Sequence, residues 1–321
     1  MSVEYRSHNI LTTPSPSSGH VVSLILQLLD NFDLKNNDTR AYNKILEAFR
    51  FGFAMRGHTG DKDYSKKSRW VINKVRNRSW AREVLSKHFQ ENEDGFVEPY
   101  DAPQEYMDGG PIYKVRDNTH TTHVTIIGPA GDAVSVMSSV NTYFGSCVMT
   151  EDGIVLNNEM NDFSIPGTIN VFGFPPAPEN FIAPGKRAQS SASPLIALNK
   201  EGEVVFVSGA AGGSRIITST LLSLIRALDW EMNLKDNAHA PRIHDQLNMV
   251  TMYEPWLDAK IVEDLQNLGY DMQAYPENSK SSSVTSVSHL RGVYEAEGDP
   301  RKGGTGKVEE LPQVAVLYSD N

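Results

Sequence analysis

The hydrophobic period of this chain changes part-way along, and that change restricts its fold more than any single motif does. Up to about residue 95, apolar residues recur at helical spacing. Val21, Leu24, Ile25, Leu28 and Leu29 mark an amphipathic helix over His20 to Phe32, entered through Ser17-Ser18-Gly19 after the breakers Pro14 and Pro16. Arg40 to Arg56, with Ile45, Ala48 and Phe49, predicts a second helix, and Ser68 to Phe89 predicts one or two more. Residues 91–118 are polar and carry Pro99, Pro103, Gly109, Gly110 and Pro111, the composition of an exposed linker. From Thr121 onward the period is two. Thr121 to Ile127, the turn Gly128 to Asp132, and Ala133 to Val140 predict a β-hairpin. Pro194 to Leu198 and Val204 to Val207 predict a second hairpin. Ser208 to Gly213 then opens a helix from Ser214 to about Trp230. A helix over Asp258 to Leu268 and strands at Met272 to Tyr275, Ser281 to His289 and Gln313 to Tyr318 close the chain. Strand pairs mixed with helices, without strict βαβ alternation, predict an α+β layered sandwich. The Pro- and Gly-rich stretch Ile165 to Gly185 is too long for an idle connection and reads as a functional loop.

Charge and cysteine content narrow the function. A net charge of −10 argues against nucleic acid as the main partner. The basic run from Lys66 to Arg82 reads as a solvated helix face. Cys147 is the only cysteine, so an intrachain disulfide and a multi-cysteine metal site are excluded. Its apolar setting after Phe144-Gly145-Ser146 predicts a buried, inert thiol. No apolar run reaches the ~18 residues of a membrane span.

The start of the period-two region, Thr119-His120-Thr121-Thr122-His123, places a hydroxyl where a nucleophile could stand. A threonine hydroxyl needs an adjacent base. Cutting the chain just before the threonine makes its own α-amino group that base, and such an amine titrates near pH ~8. Four segments could converge on Thr121. Ser138 to Gly145 offers hydroxyl and amide groups. Leu156 to Ser164 carries Glu159 and Asp162, three residues apart on one side of a helical turn and suited to an ammonium group. Gly185 to Ser191 carries the paired Ser190 and Ser191, which suit a carboxylate. Gly209 to Ser214 precedes a helix, and its free backbone N–H groups could form an oxyanion hole. A dinucleotide-binding turn does not fit, because the spacing is GxxGG rather than GxGxxG. His120 and His123 form an HxxH pair with no evident third metal ligand, so packing roles suit them better.

In this order, the strings Pro14 to Gly19, Thr121-Thr122-His123, Asn141 to Gly145, Leu156 to Ser164, Ser190-Ser191, Gly209 to Ser214, Ala240 to His244 and Gly298 to Gly304 resemble the gamma-glutamyltransferase (glutathione hydrolase) family. The resemblance spans nearly the whole chain. It implies a four-layer αββα sandwich of the N-terminal-nucleophile hydrolase type. Residues 1–120 would be the C-terminal part of a large subunit, mainly helical, and residues 121–321 the small catalytic subunit. It implies autocleavage between His120 and Thr121, with Thr121 as nucleophile and Ser139 as the hydroxyl that hydrogen-bonds it. The family usually has a threonine at the position of Ser139. By the same resemblance Asn141, Glu159 and Asp162 bind the α-amino end of a glutamyl group, Ser190 and Ser191 its α-carboxylate end, and Gly212 and Gly213 the oxyanion.

The implied activity is glutathione hydrolysis and transfer of the γ-glutamyl group to water, amino acids or dipeptides, with no metal or organic cofactor. The implied partners are these small molecules and, after cleavage, the two subunits as a heterodimer. The implied location is the outer face of the plasma membrane. The chain would begin inside the large subunit, so the family's carboxylate-binding arginine, its anchor and part of the layers would lie outside it, leaving sheet edges and core surface exposed. His20 stands where the family commonly has glycine. Two other readings remain open: an inactive paralogue acting only by protein association, and an acylase of the same superfamily acting on another amide.

Overall fold

The computed structural model describes residues 1–88, 119–247, 250–276 and 282–309. Its centre is a six-stranded antiparallel sheet in the order β1-β2-β5-β6-β10-β11. The strands are β1 (Ser2–Tyr5), β2 (His8–Thr12), β5 (Leu195–Leu198), β6 (Val204–Ala211), β10 (Ser283–Leu290) and β11 (Val293–Gly298). The hairpin of β3 (Thr119–Ile127) and β4 (Ala133–Thr142) lies against one face of this sheet, over β5, β6 and β10. Helices α1 (Gly19–Leu29) and α5 (Arg215–Leu228) cover the other face, with α2 (Thr39–Arg56) packed on α1. Helix, sheet and hairpin give three layers of the α+β sandwich. β6 is buried along nearly its whole length because it is covered from both sides.

The helical period identifies the helices well. The predicted helices at His20, Arg40, Ser214 and Asp258 appear as α1, α2, α5 and α7 (Ala259–Asn267). The Ser68 region contains two, α3 (Lys66–Lys74) and α4 (Arg78–His88). Lys66, Lys67 and Arg69 are exposed, as a solvated face requires. Every residue of α1 is buried, because it sits between the sheet and α2. A short helix, α6 (Leu234–His239), joins α5 to a small sheet of β7 (Ile243–His244), β8 (Thr251–Tyr253) and β9 (Met272–Ala274).

Several expectations need correction. The first 95 residues are not purely helical, since β1 and β2 form a hairpin that pairs with β5. Those strands are too short for periodicity to separate them from turns. β6 runs on through Ser208 to Ala211 instead of ending at Val207, and β7, β8 and β11 are strands beyond those the period predicts. Cys147 is exposed, not buried; the loop that carries it folds outside the core, so an apolar sequence context did not mean burial. The predicted linker at 91–118 and strand at Gln313 to Tyr318 lie outside the described residues.

The β3–β4 hairpin inverts the usual amphipathic arrangement. Thr121, His123 and Ser135 point toward the six-stranded sheet, while Val124, Ile126, Val134 and Val136 point outward and are about half exposed. Among the described residues no helix covers that outer face. No helix among them is long and apolar enough to cross a membrane.

Candidate active site

Thr121 lies opposite Ser139 in the β3–β4 ladder, and its Oγ1 donates to Ser139 Oγ at 3.4 Å. The ladder breaks between Thr119 and Thr121, so the backbone around the His120–Thr121 peptide lies at an irregularity. The extra residue belongs to β4. There Asn141 adopts a left-handed conformation (φ 70°), which asparagine tolerates better than most residues, and its N–H donates to Ser139 Oγ at 2.9 Å. The bulge thus fixes Ser139 from behind. The Asn141 side chain is buried and donates to the Asn158 carbonyl at 3.1 Å, tying β4 to the acidic turn.

That turn, Glu159–Asp162, is a single 3-10 turn, and both carboxyl groups face the same cleft. Burial pushes the Asp162 carboxyl up to about 8, reinforced by the charge and hydrogen bond of Glu159 and opposed by Arg56. Glu159 Oε1 and Asp162 Oδ1 are enclosed and receive no hydrogen bond from the described residues. Two carboxyl oxygens without donors form a receptor for a ligand that brings several N–H groups. The Asp162 carbonyl is held by Asn180 Nδ2 at 2.7 Å, and Asn180 Oδ1 accepts from the Gln189 N–H at 2.9 Å. The loop at 165–185 therefore connects the acidic turn to the serine pair, which accounts for its length.

Ser190 and Ser191 lie against the N-terminal segment. The Ser190 N–H donates to Pro16 O at 3.0 Å, and Ser18 Oγ donates to Ser190 O at 2.7 Å. His20 is buried beneath them. Its ring contacts Ser17 O at 3.0 Å and Thr59 Oγ1 at 3.1 Å, and burial lowers its pKa to about 4. A glycine there would leave that space open.

Gly212 and Gly213 form the turn from β6 into α5, with φ 146° and 62°, values that favour glycine. Gly213 lines the cleft, while Gly212 is buried just before it. The turn is aligned with the strand of Thr121 through His123. The His123 ring occupies the space above Gly209 that a Cβ would fill. Its Nε2 contacts Ser135 Oγ at 2.9 Å, and Ser135 Oγ donates to Ser208 O at 3.2 Å. Burial lowers the His123 pKa to about 4, which keeps the ring neutral. Among the described residues no group of His, Cys, Asp and Glu could hold a metal ion.

One open cleft is therefore lined by Thr121, Ser139, Asn141, Glu159, Asp162, Ser190, Ser191 and Gly213. Of the nine residues singled out from sequence, only Gly212 is not part of its wall. Sequence reasoning missed Arg56, the last residue of α2, which is 5% exposed and also lines the cleft. In sequence it is one basic residue at a helix end, and nothing there marks it as facing a site.

The layered α+β sandwich, with Thr121 on a strand laid over a glycine turn, has the fold of the N-terminal-nucleophile hydrolases. The Gamma-glutamyltranspeptidase family model matches residues 1–308, and the chain belongs to that family. It is 37% identical to the glutathione hydrolase proenzyme of Arthroderma benhamiae over 95% of its own length and 51% of that relative. It is 35% identical to the glutathione hydrolase proenzyme of Escherichia coli K12, over 77% of this chain and 41% of that one. The chain thus spans about half the length of the curated relatives it matches. A Helicobacter pylori gamma-glutamyltranspeptidase structure (T380A mutant) aligns with TM-score 0.52 and 34% identity, covering 56% of this chain and 99% of that one. Cephalosporin acylase from Bacillus halodurans shares the fold alone, with TM-score 0.75 at 18% identity over 97% of this chain and 53% of that one.

Proposed function

We propose that this protein is a γ-glutamyl acyl-transfer enzyme made by self-cleavage at Thr121. Hydrolysis of the His120–Thr121 peptide leaves a carboxylate on His120 and a free amine on Thr121. That amine takes the Oγ1 proton as the hydroxyl attacks the γ-glutamyl amide carbonyl. Gly212 and Gly213 amides stabilise the oxyanion. The protonated amine delivers its proton to the leaving nitrogen, cysteinylglycine when glutathione is the substrate. Water, an amino acid or a dipeptide then takes the glutamyl group from Thr121. Glu159, Asp162 and Asn141 hold the α-ammonium, and Ser190 and Ser191 hold the α-carboxylate. The fragments before and after the cut stay together as a heterodimer, because β1–β2 is hydrogen-bonded to β5 within one sheet. Action at the outer face of the plasma membrane belongs to the same proposal.

One observation carries this reading: a cation receptor, a pair of hydroxyl donors and the threonine hydroxyl share a single cleft. The relatives' names favour catalysis over a role limited to protein association. The test is electrophoresis and N-terminal sequencing of the purified protein, together with glutamate release from glutathione. Two fragments, one starting at Thr121, and glutathione turnover are expected. Splitting and turnover that persist in Thr121→Ala would end the proposal.

A further inference from the structure

Arg56 has the attributes of a ligand-positioning group. It comes from α2, outside the strands and loops that carry the other cleft residues. Its guanidinium lies 4.1 Å from the centroid of the Phe174 ring, and Phe174 stacks on Phe53 at 5.9 Å. Its backbone carbonyl accepts from Gln189 Nε2 at 3.1 Å and Thr59 Oγ1 at 2.8 Å. The charge is therefore held in place by its main chain and by ring stacking. Among the described residues of the cleft wall, Arg56 is the one cation, facing the acids Glu159 and Asp162.

The direction of one hydrogen bond gives Arg56 its role. Arg56 Nη2 contacts Ser191 Oγ at 3.3 Å. Arginine has no acceptor, so the guanidinium must donate and the serine oxygen must accept. The hydroxyl hydrogen of Ser191 is then left to donate elsewhere. Ser190 is set the same way, since its Oγ accepts from the Ala192 N–H at 3.1 Å. Two hydroxyls oriented as donors, with a buried cation behind one, form a receptor for an anion. The enclosed oxygens of Glu159 and Asp162 form the complementary receptor for a cation.

We propose that Arg56 is a positioning residue that sets Ser191 as a hydrogen-bond donor and thereby makes the cleft selective for ligands bearing a carboxylate beside their ammonium group. The proposal rests on the γ-glutamyl reading for its substrate class. Its test is direct binding, which does not depend on turnover.

The probes are L-glutamate and 4-aminobutyrate, which differ only by the α-carboxylate. Calorimetric titration of the full protein is expected to show glutamate binding about 10–100-fold more tightly, the scale of a charge-assisted hydrogen bond. In Arg56→Gln the glutamate affinity should fall by about that factor while 4-aminobutyrate changes less than about twofold. Arg56→Lys, which keeps the charge, should recover part of the ratio and serves as the readout if Arg56→Gln does not fold. In a Ser191→Ala background the Arg56 substitution should add less than about twofold, because its effect passes through that hydroxyl. Equal losses for both ligands, additive losses with Ser191→Ala, or no glutamate binding by the wild type would each overturn the inference. Glutathione turnover measured alongside tests the activity separately: turnover with an unchanged glutamate ratio defeats only the Arg56 role, and a collapsed ratio without turnover defeats only the proposed reaction.

Discussion

Thr121 and Ser139 face each other across the β3–β4 hairpin with their hydroxyl oxygens 3.4 Å apart, and the Asn141 N–H holds Ser139 from the far side at 2.9 Å. Ser139 Oγ thus accepts from both the Asn141 N–H and the Thr121 hydroxyl, which orients the threonine side chain. Ser139→Ala is therefore expected to lower kcat about tenfold, the scale of one hydrogen bond, with little change in KM. Steady-state kinetics with a γ-glutamyl anilide checks this. A change confined to KM would place Ser139 in substrate binding instead.

The acidic pair makes ligand binding a proton-release event. Burial and the Glu159 charge raise Asp162 to about 8, so the empty pair holds a proton at neutral pH. An ammonium group favours the ionised form and expels it. Near pH ~7, L-glutamate binding should release most of one proton, and above pH ~9 almost none. Titration calorimetry in buffers of different ionisation heat reads this directly. Asp162→Asn should abolish the release; a release that survives would assign it to another group.

The same raised pKa has a consequence for stability. A carboxyl raised by folding contributes stability that is present below its unfolded value and lost as pH rises through the folded one. The empty protein should therefore lose stability between pH ~4 and ~8 from this source. Asp162→Asn should flatten that part of the stability profile in thermal denaturation.

His123 and Gly209 form a fitted pair between the two sheets. A methyl group at Gly209 would overlap the His123 ring, which Ser135 holds at 2.9 Å. Gly209→Ala should destabilise by about 1–3 kcal/mol through overpacking. Adding His123→Ala removes the obstacle, so the double variant should be less unstable than the sum of the two single changes. Additive losses in chemical denaturation would show that the two positions do not press on each other.

Asp299 anchors the end of β11. It is fully buried, bonds Arg242 and Arg301, and accepts the Val284 N–H at 2.8 Å. Against the upward push of burial, Arg242 and Arg301 hold its carboxyl below the usual range. Such a group adds stability above its unfolded pKa, near 4, that is lost as pH falls through the lower folded value. Asp299→Asn should destabilise by about 3–5 kcal/mol at neutral pH, because it leaves buried Arg242 without its counter-charge, while Arg301 keeps Glu254. The difference from wild type should shrink as the medium is acidified below pH ~4. A gap that stays constant into acid would argue against the ion pair.

The sequence by itself determined the helices, the Thr121 hairpin and the local strings of the site. Helical and two-residue periods are set by backbone geometry, and a glycine pair before a helix or an acid pair on one turn is a local arrangement. Thr121, the Glu159/Asp162 pair and the Ser190/Ser191 pair are marked by such local arrangements, while Ser139, Asn141 and Gly213 within their strings rest on the family resemblance.

Only the tertiary structure decided which face of β3 is buried, since alternation alone does not say which side meets another layer. Here it is the polar side, with Thr121 and His123 inward and Val124 and Ile126 outward. The same holds for Arg56. Its place behind Ser191, 135 residues further along the chain, follows from the end of α2 packing beneath a distant loop. Burial of β1 and β2 in the central sheet, and exposure of Cys147, were likewise decided by what each segment packs against.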